Sequence, residues 1–409
     1  MSGLEGYEGY EGYEGYEGYE GYEGYEGYEG YGGRRPSAGA LITHRDGIVG
    51  PWTPGIDPAA WTLPPRDIGG PGRTEHLRLW DARIRGFVFE SELLSRLCFG
   101  VDPPGGASVP QWATLWALEV TSDPTGMTPP MWTTPNAIAA GAVTPAGHWT
   151  PLVRMQAPPN SVLLDQLELV AGYADLRADR AREIVAQTTP QYAFWGSVVP
   201  LFPARHRWTL EVVNLVLRLA KHAEMNFKNA FGVKRPNEMS PQIQPMIQTP
   251  VHASFPSGHC TECFAVARVL YELVSGASTA GPPAKQQLRE QLLRQAARIA
   301  INRTVAGMHY PVDSLAGQLL GLSVADYILA LFRTPAGVNA NVDAWQFDAS
   351  SQALVPPRTD FTGHELYNIA TESRQTTTYA RPSQAGLTLS VSHSANLNWL
   401  WSRALGEWR

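Results

Sequence analysis

Between Asn226 and Gly317 the chain reads Lys228-x6-Arg235-Pro236, then Phe255-Pro256-Ser257-Gly258-His259, then Arg303-x5-His309-Tyr310-Pro311-x-Asp313. These segments supply three cations, a Ser-Gly turn and two histidines, one of them followed four residues later by a carboxylate. A tetrahedral oxyanion asks for this set: fixed positive charge, free backbone N–H groups at a helix start, and a nucleophilic or ligating imidazole. Each segment alone has a plainer reading. A lone Lys or Arg near a helix end is ordinarily solvated or complements the dipole. A Ser before a helix is an ordinary N-cap, and an Asp in a first turn is ordinary favourable charge.

The flanking residues place the segments on helices. Leu215, Leu219, Ala223 and Phe227 form an apolar stripe, with Lys228 at its edge and Gly232 as the residue that ends the helix. Ser257 precedes the apolar run that begins at Phe264, so it reads as an N-cap, and Gly258 lets a ligand approach the backbone. Leu288, Leu292, Ala296, Ile299 and Arg303 are spaced four, four, three and four, so Arg303 continues a buried stripe. A guanidinium stays charged, and burial demands a carboxylate or a bound anion beside it. Pro311 suits the first position of the next helix, with Asp313 in its first turn.

The order and spacing of these motifs resemble the superfamily that unites vanadium-dependent haloperoxidases, type-2 phosphatidic acid phosphatases and bacterial acid phosphatases. The resemblance implies that Lys228, Arg235, Ser257, Gly258 and Arg303 hold the oxyanion. It implies that His309 is the vanadium ligand of a haloperoxidase or the phosphohistidine nucleophile of a phosphatase. His259 is then the acid–base residue and Asp313 the partner that orients His309. Two positions depart from the pattern: Asn302 stands where Ser is usual, and Tyr310 where Trp is common. His252, five residues before Ser257, matches an extra active-site histidine of bromide-oxidising members; an ordinary loop histidine is the alternative.

The expected fold is mainly α, a helical bundle of the haloperoxidase and acid phosphatase type with long Pro/Gly-rich loops. Helices are expected at about 76–99, 161–187, 206–231, 259–275, 285–305 and 312–333. Residues 100–158 and the last 75 or so read as mostly irregular, apart from a strand-like alternation at 387–391. The domain reading is a low-complexity tail at 1–33, an extended arm at 34–75 and a helical catalytic domain at 76–409.

The tail holds nine Glu-Gly-Tyr triplets from Glu5 to Tyr31, with no aliphatic side chain to build a core. Disorder is the default reading, and assembly of a homo-oligomer through tyrosine stacking is the minority one. The nine glutamates conceal a nearly neutral body, because the overall charge of −6 becomes +3 once they are set aside. That balance gives nucleic acid no footprint. The three cysteines, Cys98, Cys260 and Cys263, do not form a disulfide framework. Cys260 and Cys263 read as core-facing thiols, with a redox pair as the alternative. No basic region followed by an apolar stretch opens the chain, so the expected location is cytoplasmic. The apolar window 314–332 contains Gln318 and Asp326 and reads as a buried helix rather than a membrane span.

The preferred functional expectation is a vanadate-dependent haloperoxidase using hydrogen peroxide, halide and a small organic acceptor. The alternatives are a phosphatase acting through a phosphohistidine, which needs no vanadate, and a non-catalytic assembly protein working through its tyrosine-rich tail.

Overall fold

A computed structural model describes residues 74–102, 112–118, 149–188, 191–351, 354, 359–383 and 388–409. The Glu-Gly-Tyr tail and nearly all of the 34–75 arm lie outside the described residues.

Helix α1, Ala82–Leu94, starts where the Asp81 side chain accepts from the Arg83 N–H at 2.9 Å. The expected continuation of this helix to Phe99 is corrected by strand β1, Leu97–Val101. β1 pairs antiparallel with β2, Trp112–Leu118, which pairs antiparallel with β3, Trp149–Gln156. The loop reading of 100–158 is corrected by these strands as well. Their pairing joins residues far apart in sequence, and cross-strand packing overrides the local pattern.

Helices α2, Asn160–Tyr173, and α3, Arg177–Ala186, flank a 3-10 turn at Ala174–Leu176 where one continuous helix was expected. The break lets Tyr173 donate to Asp360 Oδ2 at 2.7 Å while Arg177 reaches the carbonyls of Ile243 and Gln244. After the short α4, Tyr192–Gly196, comes α5, Arg207–Phe231. Gly232 ends α5 at φ 58°, the left-handed backbone that favours glycine, as its position in the sequence implied.

The single turn α6, Pro236–Met239, leads through a loop to α7, Gly258–Ala277. Helices α8, Pro282–Val305, and α9, Pro311–Arg333, complete the central bundle, each with proline in its first turn. α9 is long and apolar enough to cross a membrane by length and composition, yet 89% of its most apolar window is buried inside the protein. Its neighbours are α5, α7, α8 and the sheet. Gly317 and Gly321 of α9 meet the backbone of α7 so closely that a Cβ on them would lie 2.7 Å from Ser257 O and 2.3 Å from Thr261 O. This approach sets the height of the start of α7.

The C-terminal part is more regular than its sequence implied. Strands β4, Asn339–Asp343, β5, Trp345–Asp348, β6, Tyr367–Asn368, β7, Ser373–Arg374, β8, Ala380–Pro382, and β9, Thr388–Ser392, are followed by α10, Ala395–Gly406. The main sheet runs β1-β2-β3-β5-β8, with only β3 and β5 parallel, while β4 pairs with β9 and β6 with β7. Leu397, Leu400, Trp401 and Ala404 of α10 are buried, and just beyond it Glu407 accepts from the N–H groups of Trp208 and Thr209 at the start of α5. A buried Arg85–Glu211 pair joins α1 to α5. The architecture is mainly α, with a sheet packed beside the helical core.

Candidate active site

The starts of α7 and α9 meet the end of α5, and their junction is tied through backbone: the Ser257 N–H donates to Asp313 O at 2.9 Å. Ser257 stands at the N-cap position of α7, but its hydroxyl makes no capping bond. That hydroxyl is fully buried and has no hydrogen-bond partner among the described residues. A buried hydroxyl without a partner costs free energy, so its orientation makes sense as a donor held for a ligand. The neighbouring N–H groups of the first turn of α7 add a fixed partial positive charge at the same spot.

A cavity of about 150 Å³ opens there, large enough for one small molecule. Arg235, His252, Gly258, His259, Arg303 and His309 all line it. Six of the nine residues expected at the site therefore face one cavity. Ser257, Lys228 and Asp313 are buried next to lining residues in sequence or through hydrogen bonds: Ser257 precedes Gly258, Lys228 binds the 253–254 backbone and Asp313 binds His309.

Arg235 is 1% exposed and anchored by three bonds. Its Nε donates to His252 O at 3.0 Å, Nη1 to Met308 O at 3.1 Å, and Nη2 to His252 Nδ1 at 3.2 Å. Lys228 is not at the edge of the buried face, as its place beside the stripe implied, but fully inside it. Its Nζ donates to Ala253 O and Ser254 O, both at 3.0 Å. Arg303 is buried on α8 as its stripe required, and its Nη2 donates to Ile184 O and Gln187 Oε1 at 3.0 Å each.

His309 Nδ1 lies 2.9 Å from Asp313 Oδ2. The same oxygen accepts from Ser254 Oγ at 2.5 Å and from the Tyr310 N–H at 3.1 Å. Burial pushes the Asp313 carboxyl up to about 6, while the Ser254 bond, Lys228 and the Tyr310 N–H oppose that rise. It is thus ionised at neutral pH and accepts the Nδ1 proton. Burial, followed by the charges of Arg235 and Lys228, holds His309 far below the usual imidazole range. The ring is neutral, with its proton on Nδ1 and its lone pair on Nε2.

Burial, with Arg303 beside it, also lowers His259 to about 3. Its Nε2 lies 2.9 Å from the Gln187 carbonyl, which can only accept, so Nε2 carries the proton and Nδ1 is the basic atom. His252 is lowered to about 4 by burial and by Lys228 and Arg235, and its Nδ1 accepts from Arg235. All three histidines are uncharged at rest.

Residues 210–335 match the PAP2 superfamily. The chain carries a PAP2-superfamily domain. It spans α5 to α9 and contains every residue expected at the site. Among solved structures, a transmembrane PAP2-type phosphatidylglycerolphosphate phosphatase from Bacillus subtilis is similar at 19% identity and a TM-score of 0.25, over 41% of this chain and 78% of that one. No curated protein matches the sequence.

Several residues that position the PAP2 domain's site were not singled out from the sequence. Ser254 bridges Asp313 and the Lys228 anchor. Gln187, on the segment after α3 and outside the family match, accepts from Arg303 and from Asn302 Nδ2 through Oε1, and from His259 through its backbone carbonyl. Asn302, the departure from the usual Ser, is fully buried and also donates to Glu183 Oε1 while accepting from Arg180. Its amide thus locks α8 to α3, a span that a Ser side chain is too short to make. Cys260 and Cys263 are core thiols, donating to the carbonyls of Ser314 and Ala296, and among the described residues no His, Cys, Asp and Glu cluster could hold a metal ion.

Gln187→Leu keeps the backbone carbonyl but removes the acceptor shared by Arg303 and Asn302. The variant is expected to lose about 10–100-fold in affinity for inorganic phosphate, measured by calorimetry, with a lower unfolding midpoint. Unchanged affinity would show that Arg303 is held without Gln187.

Proposed function

We propose that this protein is a phosphoester hydrolase that works through a phosphohistidine on His309. The observation that carries the reading is the His309 Nδ1–Asp313 Oδ2 bond of 2.9 Å on a neutral ring lining the pocket. It leaves the lone pair on Nε2, the state a nucleophile requires. The PAP2-superfamily match supports phosphatase-type chemistry.

In this reading Arg235, Arg303, the Ser257 hydroxyl and the N–H groups at the start of α7 bind the non-bridging oxygens and stabilise the charge that builds on them. Lys228 adds positive charge from behind and holds the 253–254 backbone in place. Nε2 of His309 forms a bond to phosphorus as the ester oxygen leaves. Asp313 stabilises the imidazolium character that develops. Water then attacks the phosphohistidine, with Nδ1 of neutral His259 as the base, and inorganic phosphate is released. Tyr192, Trp195, Leu217, Met225 and Ile247 also line the cavity, and they suit an apolar organic group on the ester.

A second reading is vanadate-dependent oxidation of halide by hydrogen peroxide, favoured by His252 lining the pocket beside Arg235. The unsatisfied Ser257 hydroxyl fits a tetrahedral oxyanion of either central atom. Arg235, Ser257, Gly258, Arg303 and His309 would hold vanadate as they would hold phosphate. Vanadate, when bound, supplies Lewis-acid activation of peroxide toward halide.

Orthovanadate separates the readings. The phosphatase hydrolyses 4-nitrophenyl phosphate without vanadate and is inhibited by it. Bromination of a diketone dye that requires vanadate and peroxide, with no ester hydrolysis, would overturn the proposal in favour of the second reading.

A further inference from the structure

One side of the oxyanion cavity carries the wrong charge for a phosphate. Glu224, one helical turn before Lys228 on α5, is 2% exposed and lines the cavity together with Arg235, Arg303 and His309. Glu262, one turn beyond Gly258 on α7, lines it as well. The Glu224 carboxyl is seated against the first residue of α7: a Cβ on Gly258 would lie 2.4 Å from its Oε1 and 2.9 Å from its Cδ. A carboxylate at the oxyanion-binding helix start repels phosphate, so anion binding alone gives no reason for it.

The protein leaves this carboxyl unsatisfied. Its Oε2 is buried with no hydrogen-bond partner among the described residues. Lys228 is turned to the carbonyls of Ala253 and Ser254, and Lys221 reaches Glu262, at 3.9 Å. Burial, reinforced by Glu262, raises the Glu224 carboxyl to about 8, because the opposing pull of Lys228, Lys221 and Arg235 does not offset it. A buried carboxyl in such a place is completed by a donor that arrives with the ligand, and a cation completes it best.

The two charges of the cavity lie side by side. Arg235, Arg303 and the first N–H groups of α7 face the anion, while Glu224 abuts the same helix start and Glu262 follows one turn along. In the phosphate ester of a 2-amino alcohol the ammonium nitrogen lies about 5 Å from phosphorus, close to one helical pitch. Such an ester carries both charges at the spacing the cavity offers.

We propose that Glu224, supported by Glu262, is a specificity-determining residue that receives an ammonium group two carbons from the ester oxygen, so that the preferred substrate is the phosphate ester of an amino alcohol. This rests on the phosphohydrolase reading. The ammonium donates to Oε2, and the charge it brings offsets the repulsion between the carboxylate and the phosphate. Glu224 takes part in no bond-making step, and the roles of His309 and His259 are unchanged.

The test compares kcat/KM on 2-aminoethyl, 2-hydroxyethyl and n-propyl phosphate, for the full chain and for its Glu224→Gln and Glu224→Leu variants. The three esters match in size, and ratios taken within one protein cancel any general loss of activity. The wild-type protein is expected to prefer the aminoethyl ester over the propyl ester by about 10- to 10²-fold. Both variants are expected to bring that ratio close to one, and Glu224→Leu keeps the comparison available if Glu224→Gln does not fold. No wild-type preference for the aminoethyl ester, an equal preference for the hydroxyethyl ester, or a preference that survives in a folded variant overturns the assignment. Hydrolysis of 4-nitrophenyl phosphate in the same preparation leaves the phosphatase reading intact in each of those cases. A wild-type protein that hydrolyses none of the four esters overturns that reading and the assignment with it.

Discussion

His309→Ala is expected to reduce ester hydrolysis by at least about 10³-fold, with the fold intact and phosphate still bound. The side chain is the nucleophile in the proposed reaction, and its ring proton is held by a carboxylate, whereas that of His259 is held by a backbone carbonyl. Its Nδ1 proton is fixed by Asp313, which Ser254 and the Tyr310 N–H hold in turn. Removing the ring takes the attacking atom away but leaves Arg235, Arg303, the Ser257 hydroxyl and the start of α7. Binding of inorganic phosphate should therefore fall far less than turnover, a split that single-turnover kinetics and calorimetry can measure separately. A His309→Ala variant that turns over at the wild-type rate would contradict a catalytic role for the residue.

Gly321→Ala is expected to destabilise the protein by about 3 kcal/mol and to lower kcat/KM by about 10²-fold, although Gly321 does not line the cavity. The added methyl group would lie 2.3 Å from Thr261 O, 3.1 Å from the Thr261 carbonyl carbon and 3.2 Å from Ala265 N. All three are backbone atoms within α7, so no flexible side chain can move aside. Either α9 or α7 must shift, and the first turn of α7 carries Ser257, Gly258 and His259 one turn before Thr261. Denaturant unfolding measures the first effect and steady-state kinetics the second. A variant with wild-type stability would mean that the two helices are less tightly apposed than described.

The parts of the fold legible in the sequence are those set by local chemistry. The stripe ending at Phe227, the helix stop at Gly232, the turn before α7 and Pro311 at the start of α9 all act within a few residues. The described helices there match the expected ranges within about one turn. The sheet and α10 were not legible because long-range pairing and docking create them. β3 joins β2 across a long insertion and then β5, whose strand lies nearly two hundred residues later. α10 is a short helix whose tryptophan-rich face is explained only by packing.

The site divides along the same line. Motif spacing exposed the groups that face the anion, and Arg303 on its buried stripe was readable from elementary electrostatics. The residues that hold those groups, Gln187, Ser254 and Asn302, act through tertiary contacts and leave no periodic signal. Glu224, a buried residue of α5 that lines the cavity, is the most instructive omission. On the sequence it is one polar residue of an amphipathic helix, and only the close approach of Gly258 reveals that its carboxyl enters the cavity. The i, i+4 spacing from Lys228 was visible, but it reads first as a surface ion pair. No ion pair within 4 Å joins the two among the described residues, because Lys228 is turned to the carbonyls of Ala253 and Ser254.

The central claim is that His309 attacks phosphorus, and trapping the intermediate tests it most directly. The protein is mixed with a phosphate ester, quenched in alkali to preserve a phosphorus–nitrogen bond, digested and analysed by mass spectrometry. The account predicts one added phosphoryl group on the peptide containing His309, absent from the His309→Ala variant. Active hydrolysis with the phosphoryl group on another residue, or with no covalent intermediate in a rapid quench, would contradict it.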